Sequence, residues 1–259
     1  MMQFHISPNA DAAAFRLLKL NPESNIYAIF ELTRRRQLRC WRSVSAESVT
    51  SFAVMIEGSQ PLRPFIPDGW LVATDAAPAC ALLDARARFQ VKGPISIKAS
   101  LYKEIFGIEP PSKLKDVHYL LRPGQQIEST MRQRSNWIIQ RLSSENLGYS
   151  CNKSEFLNLT GDPTKISNRE YFYGLFIERK LISILEAGVA THYGVAIQQM
   201  YTRPDARRQG YASYLLSSIS KCINSSQRVV SYLASAENSA ANRLVTSLGF
   251  QPFEERVLI

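Results

Sequence analysis

Thr202-Arg203-Pro204-Asp205-Ala206-Arg207-Arg208-Gln209-Gly210-Tyr211-Ala212-Ser213 decides how this chain reads, because it joins an apolar strand to an amphipathic helix through a basic turn with one glycine. Upstream, Val195-Ala196-Ile197-Gln198-Gln199-Met200-Tyr201 has β-branched and aromatic content framed by Gly194 and Pro204, which predicts one strand. Downstream, Tyr211, Tyr214, Leu215, Ser218, Ile219 and Cys222 recur at helical spacing, and the same stripe predicts a buried Cys222. The turn therefore opens a helix. Free backbone N–H groups and the positive end of the helix dipole make such an N-terminus an anion site, and successive turn amides form a concave nest. Gly210 allows a phosphate-bearing ligand close to those amides, and Arg207 and Arg208 add positive charge at the mouth.

A second element follows about thirty residues on. Arg228 to Ser235 reads as a strand, Asn238 as an N-cap, and Ala241, Leu244, Val245 and Leu248 as one helical face. Gly249 stands where a left-handed residue ends a helix, and Phe250 leads into a last strand.

These residues carry a family resemblance. Arg207-x-x-Gly210-x-Ala212 resembles the Arg/Gln-x-x-Gly-x-Gly/Ala loop of the GCN5-related N-acetyltransferase (GNAT) superfamily. Asn238-Ser-Ala-Ala241-x-x-Leu244-x-x-x-Leu248-Gly249-Phe250 resembles that superfamily's Asn-x-x-Ala…Leu-Gly-Phe helix, and Met200 to Ser213 is similar to the FR47-like branch. The resemblance covers roughly residues 170–259, with a weaker likeness back to about 125.

It implies a mixed α/β (α+β) fold whose central, mostly antiparallel, twisted sheet is splayed at the cofactor site. It also implies acetyl-CoA as cosubstrate, with pyrophosphate over the amides of Arg208, Gln209, Gly210, Tyr211, Ala212 and Ser213. Pantetheine would lie along Met200, Tyr201 and Thr202, with Asn238 adding a side-chain hydrogen bond. The implied reaction is direct attack of a primary amine, on a small molecule or amino acid, at the thioester carbonyl. Many members carry a Tyr as general acid where this chain has Val245, so another phenol, Tyr201, Tyr211 or Tyr232, serves, or the thiolate leaves unprotonated. The alternatives are a CoA-binding regulator with impaired catalysis and a protein or peptide N-acetyltransferase.

For the base, strand alternation puts Glu186 on the face of Ile182 and Ile184, where desolvation would raise a carboxyl pKa; a strand end turned to solvent is the alternative. His192 falls in a hairpin turn and reads as exposed.

The 259 residues suit one large domain or two smaller ones. We expect an αβ lobe over 1–123, of a size and element order that suit a degenerate GNAT copy shaping the substrate cleft, and the acetyltransferase domain over 124–259. In the first lobe, Asn21-Pro22 predicts a helix start ahead of Ile26, Ile29, Phe30 and Thr33, and residues 51–56, 70–74 and 117–121 read as strands. A helix is predicted over 97–106 after Gly93-Pro94, and another over 131–142 with Trp137, Ile138 and Leu142 towards the core. Gly161-Asp-Pro163 marks a loop, and residues 171–177 and 181–187 read as a hairpin through Glu178-Arg179-Lys180.

Four scattered cysteines, three histidines and no H-E-x-x-H pattern predict reduced thiols and no metal. No apolar run of membrane-spanning length and no basic-then-apolar N-terminus occurs, so no membrane partner is expected and a cytoplasmic monomer or homodimer is. The net charge of +9 is concentrated at Arg34-Arg35-Arg36, Arg39 and Arg42, read as a solvated helix end; nucleic acid is not expected as a partner.

Overall fold

The computed structural model describes residues 3–7, 12–34, 39–44, 52–57, 69–88, 94–127, 136–142 and 172–259. The loop expected at 161–163, together with Arg35, Arg36 and Cys151, lies outside them. The chain forms two compact units: residues 1–118 with 234–239 and 253–259, and residues 119–233 with 240–252.

The first unit runs β1 (Gln3–Ser7), α1 (Ala12–Leu20), α2 (Ile26–Arg34), β2 (Arg39–Val44), β3 (Phe52–Glu57), β4 (Gly69–Ala73), α3 (Ala76–Arg88), β5 (Ile95–Lys98) and α4 (Ala99–Phe106). β1 to β4 pair antiparallel in sequence, β4 pairs parallel with β5, and the end of β14 (Gln251–Leu258) pairs antiparallel with β5. Leu71, Ala79, Leu82, Ala85, Ile95, Ile97, Leu101 and Val257 form its core. The α3 contribution is spaced at helical intervals, so one face of the helix buries against the sheet.

Two expectations are corrected here. Ile95 to Lys98 is a strand, so the helix expected over 97–106 begins only at Ala99; Ile97 opposite Val257 shows sheet pairing overriding local helical preference. Asn21 does not start α2 but closes the turn before it, accepting the Ser24 amide on Oδ1 and the Asn25 amide on its carbonyl. Asn25 then accepts Ile29 N–H and donates its side chain to the Leu18 carbonyl.

The second unit contains an antiparallel sheet of β7 (Trp137–Arg141), β8 (Phe172–Ile177), β9 (Lys180–Glu186) and β12 (Gln199–Thr202), in the order β12-β9-β8-β7. The hairpin turn at Glu178 and Arg179 has φ 49° and 66°, the positive pair that fits the twist of a two-residue connection. Leu142, Phe172, Phe176, Leu181 and Ile184 form a core beneath it. Residues 137–141, expected to be helical, are strand, and Ile138 is exposed whereas Trp137 and Leu142 are buried. Alternation replaces the helical period there: Ile138 pairs across to Phe176 while Leu142 donates its N–H to Phe172 O.

The end of β6 (Lys115–Leu121), β13 (Val229–Ser235), β11 (Gly194–Ile197) and β10 (Val189–Ala190) form the unit's other sheet, with β11 and β13 parallel. They are joined by α5 (Tyr211–Ser225), and α6 (Ser239–Ser247) follows β13. Gly249 ends α6 at φ 90°, with Phe250 N–H on Val245 O and Gly249 N–H on Thr246 O, a Schellman closure.

Candidate functional site

The strand read as one piece over 195–201 is two strands in two sheets. Gly194 to Ile197 pair with Val229 to Tyr232, and there the ladder stops. Gln198 belongs to neither strand; its N–H goes to Glu186 O, and Gln199 to Thr202 pair with Glu186 to Ser183 of β9. Two consecutive residues opposite Glu186 are the signature of a bulge, and the bulge turns the chain from β13 to β9.

β12 is consequently an edge strand. Arg203 N–H reaches Ile182 O at 3.0 Å, so alternation turns the backbone groups of Tyr201 and Gln199 towards β9 and those of Met200 and Thr202 outward. Thr202 O accepts Arg207 Nε at 3.1 Å. Met200, opposite Leu185, thus turns its N–H and C=O away from β9.

The loop that follows is tightly tied. Pro204–Ala206 form a 3-10 turn, and Arg203 grips the Asp205 carboxylate through Nε at 3.1 Å and a terminal nitrogen at 3.0 Å. That guanidinium holds the exposed Asp205 carboxyl below its usual range. Gln209 donates to Asp205 O. Arg208 has φ 61° and Gly210, which precedes α5, φ 81°. Gly210 adopts that angle freely, whereas a β-carbon at Arg208 makes it unfavourable. The hydrogen-bonded turn over Arg207 and Arg208 is closed by the Gln209 amide. Among the described residues, the backbone amides of Arg208 and of Gly210 to Ser213 donate to nothing; the first intrahelical bond is Tyr214 N–H to Gly210 O. Tyr211 and Tyr214 pack edge-on against Trp137 at 5.2 and 5.0 Å, which fixes the helix start against β7.

Behind this edge sit the acid-base candidates. Glu186 is 3% exposed, so it does not turn to solvent. A β-carbon on Gly188 would lie 2.7 Å from Glu186 Oε1 and also against the Gln198 amide oxygen, so both side chains close over the Gly188 backbone. Ser183, wholly buried, donates to Tyr201 O at 2.8 Å and shares a hydrogen bond with the Thr202 hydroxyl at 2.9 Å. Tyr201 is half-buried with the Arg207 guanidinium 5.7 Å from its ring centroid, while Tyr232 is buried and its phenol is pushed up by desolvation. Val245 is wholly buried.

His192 is exposed, as expected. Cys222 is exposed rather than in the core: the buried stripe of α5 is Leu215, Leu216, Ile219, Ser220 and Ile223, one row away. Asn238 immediately precedes α6, is exposed and donates its N–H to Ser235 O. Sequence reasoning missed Ser183 and the Gln198 bulge; a serine between Ile182 and Ile184 carries no motif, and only its place opposite Thr202 gives it a role.

The family model described as FR47-like protein matches residues 172–259, a stretch that begins at β8 and contains the bulge, the loop and both following helices. That match takes in about a third of the chain, so residues 172–259 are similar to the FR47-like family. The whole chain is similar in fold to solved GNAT structures. An acetyltransferase from the GNAT family of Colwellia psychrerythraea superposes with TM-score 0.58 at 12% identity, over 99% of this chain and 98% of that one. A GCN5-related N-acetyltransferase from Sphaerobacter thermophilus gives 0.59 at 10%, over 99% and 94%. A tandem GNAT protein from the clavulanic acid biosynthesis pathway gives 0.60 at 11%, over 100% and 97%. No curated protein matches the chain.

The likeness to the GNAT fold thus extends over both units. No described helix is long and apolar enough to cross a membrane, and no metal-binding cluster of His, Cys, Asp and Glu occurs among the described residues.

Proposed function

We propose that this GNAT protein is an acetyl-CoA-dependent N-acetyltransferase acting on a primary amine of a small molecule or amino acid. The observation that carries the reading is the set of unengaged amides of Arg208 and of Gly210 to Ser213 around a left-handed Gly210. Such a nest at a helix start suits a pyrophosphate, and the outward N–H and C=O of Met200 suit the peptide-like pantetheine arm. Tyr201, Thr202, Gln209 and Asn238 complete the proposed donor site, with Arg207 beside it holding Thr202.

Glu186 accepts a proton from the ammonium acceptor, directly or through water, to give the free amine. The amine nitrogen then bonds to the thioester carbonyl carbon, with Met200 N–H stabilising the oxyanion. As the C–S bond breaks, Tyr201 is the candidate to protonate the leaving thiolate, since Tyr232 is buried, Tyr211 packs on Trp137 and Val245 has no proton to give; the proton that the acylated nitrogen loses then restores the phenol through water. No acyl-enzyme is needed when both reactants are held together. The chain would act in the cytoplasm as a monomer or homodimer, residues 124–259 carrying the chemistry and 1–123 a worn GNAT copy that sets acceptor specificity.

The buried Val245 at the family's acid position also supports a second reading, a CoA-binding regulator with little turnover. Isothermal titration with acetyl-CoA tests the core of both. Micromolar binding that Gly210→Asp weakens at least about a hundredfold supports the donor site, because a carboxylate there repels pyrophosphate. Thiol release with a panel of amines then separates enzyme from regulator. No heat at millimolar acetyl-CoA defeats both readings.

A further inference from the structure

The three arginines of the loop are not equivalent. Arg203 is committed to Asp205 by two hydrogen bonds. Arg207 donates Nε to Thr202 O at 3.1 Å and lays its guanidinium 5.7 Å from the Tyr201 ring centroid, within cation–π reach. Arg208 makes no side-chain hydrogen bond or ion pair among the described residues.

We propose that Arg207 is a positioning residue, whose contact with Thr202 and Tyr201 sets the end of β12, rather than a charge that binds the donor. The inference rests on the acyltransferase reading for its kinetic consequences and on geometry alone for its structural ones. Thr202 is pinned from two sides. Its side chain is held by Ser183 from β9, and its outward carbonyl is held by Arg207 from the loop. The carbonyl of Tyr201 is held by Ser183 as well. With the bulge at Gln198 at one end and Arg207 at the other, four residues of edge strand are kept straight without a second neighbouring strand. Met200, at the middle of that span, keeps its outward N–H in one place.

The chemistry of the side chain makes this separable from a charge effect. Counted from the backbone, the amide nitrogen of a glutamine occupies the same position as Nε of an arginine, so Arg207→Gln can keep the hydrogen bond to Thr202 O without any charge. A lysine has a methylene at that position and carries the charge one atom further.

The experiment compares Arg207→Gln, Arg207→Lys, Arg207→Met and Arg208→Met, using acetyl-CoA and whichever amine in a panel of amino acids, polyamines and aminoglycosides releases thiol fastest. Arg207→Met is expected to lower kcat about tenfold with KM for acetyl-CoA within about twofold, Arg207→Gln to recover kcat to within about threefold, and Arg207→Lys to recover less. Arg208→Met instead raises KM for acetyl-CoA and flattens its dependence on salt. In hydrogen exchange, Arg207→Met speeds the Arg203 amide about tenfold and Arg208→Met does not. A KM rise in Arg207→Met matching that of Arg208→Met, recovery by Lys and not Gln, or an unchanged Arg203 amide overturns the proposal. If the wild-type protein neither binds nor turns over acetyl-CoA, the acyltransferase reading fails, and the exchange measurement still decides the role of Arg207.

Discussion

Glu104 holds the backbone amide of Ala76 at 3.1 Å, across 28 residues of sequence. Asp75 takes the next amide, Ala77, at 3.2 Å. The pair closes the start of α3, which follows a strand and leads into a parallel one, the same strand-helix-strand order as β11, α5 and β13. At α5 the corresponding amides are free; at α3 they are taken by two carboxylates, which also repel an incoming phosphate. One donor site per chain is the expected result. Titration should give a stoichiometry of one acetyl-CoA, and Gly210→Asp should leave no second, weaker site. A stoichiometry of two would contradict it.

Acid should destabilise the first unit through a buried cluster. Glu254 accepts from Ser24 at 2.6 Å and Arg256 at 2.8 Å, with Lys98 at 3.3 Å and His118 at 3.6 Å. Burial alone would raise the Glu254 carboxyl, but the nearby His118 ring, Arg256, Lys98 and Ser24 outweigh it and hold it well below the usual range. Burial pushes His118 below 6.5, against the pull of Glu254 and Glu23 and with that of Arg256. A depressed carboxyl stabilises above its unfolded pKa of about 4.5 and loses that stabilisation as pH falls. A depressed histidine also loses stability on acidification, beginning below 6.5, because the unfolded state takes the proton first. Asp116, raised by burial and partly offset by Arg256, works in the opposite direction at lower pH. The thermal midpoint should therefore fall from pH 7 to 4, and His118→Gln should flatten the upper part of that decline. An unchanged profile in the variant would remove His118 from the account.

Glu254→Ala should cost about 3 kcal/mol, because Arg256, 3% exposed and otherwise bonded to Ser96, loses its ion partner. Urea unfolding measures it; a loss below about 1 kcal/mol would mean that Arg256 finds a replacement partner or water.

Gly249→Ala should cost more than about 1 kcal/mol. Its φ of 90° is strained for any side chain, and a β-carbon there would lie 2.8 Å from the carbonyl oxygen of Gln126, a backbone atom. Denaturant titration of this variant against wild type is the check.

Glu186→Gln should lower kcat at neutral pH by a factor on the order of a hundred and abolish the acidic limb of the pH-rate profile. Gly188→Ala should lower it too, by pushing aside the Glu186 carboxylate and the Gln198 amide. Full activity in Glu186→Gln at pH 7 would assign the proton to another acceptor.

The order of elements around the Gly210 loop was legible because its signals are local: β-branched strands, glycines at the left-handed positions 210 and 249, and helical spacing in between. The bulge at Gln198 was not, because a polar residue between Ile197 and Gln199 reads equally as strand, and only the competition of β13 and β9 for the same chain splits it. The strand at Trp137 was read as helix for a related reason: Ile138 faces solvent despite its apolar side chain. In α3 the buried row of Ala79, Leu82 and Ala85 does not stand out in the sequence, because Ala77 and Ala87 on the same helix are exposed. Arg256 and Glu254, two residues apart on β14, share a face, but nothing near them in sequence announces the Ser24, Lys98, Ser96 and His118 side chains that receive them.

The first unit includes residues 253–259, and Val257 lies in its core beside Ile97. During synthesis the ribosome must therefore add about 135 further residues after His118 before that sheet has its missing strand, a wait on the order of ten to thirty seconds at ordinary elongation rates. Over that interval the nascent N-terminal segment carries an open β5 edge, a template for any other extended chain. The two units are thus coupled in time: the first to be made is the last that can close.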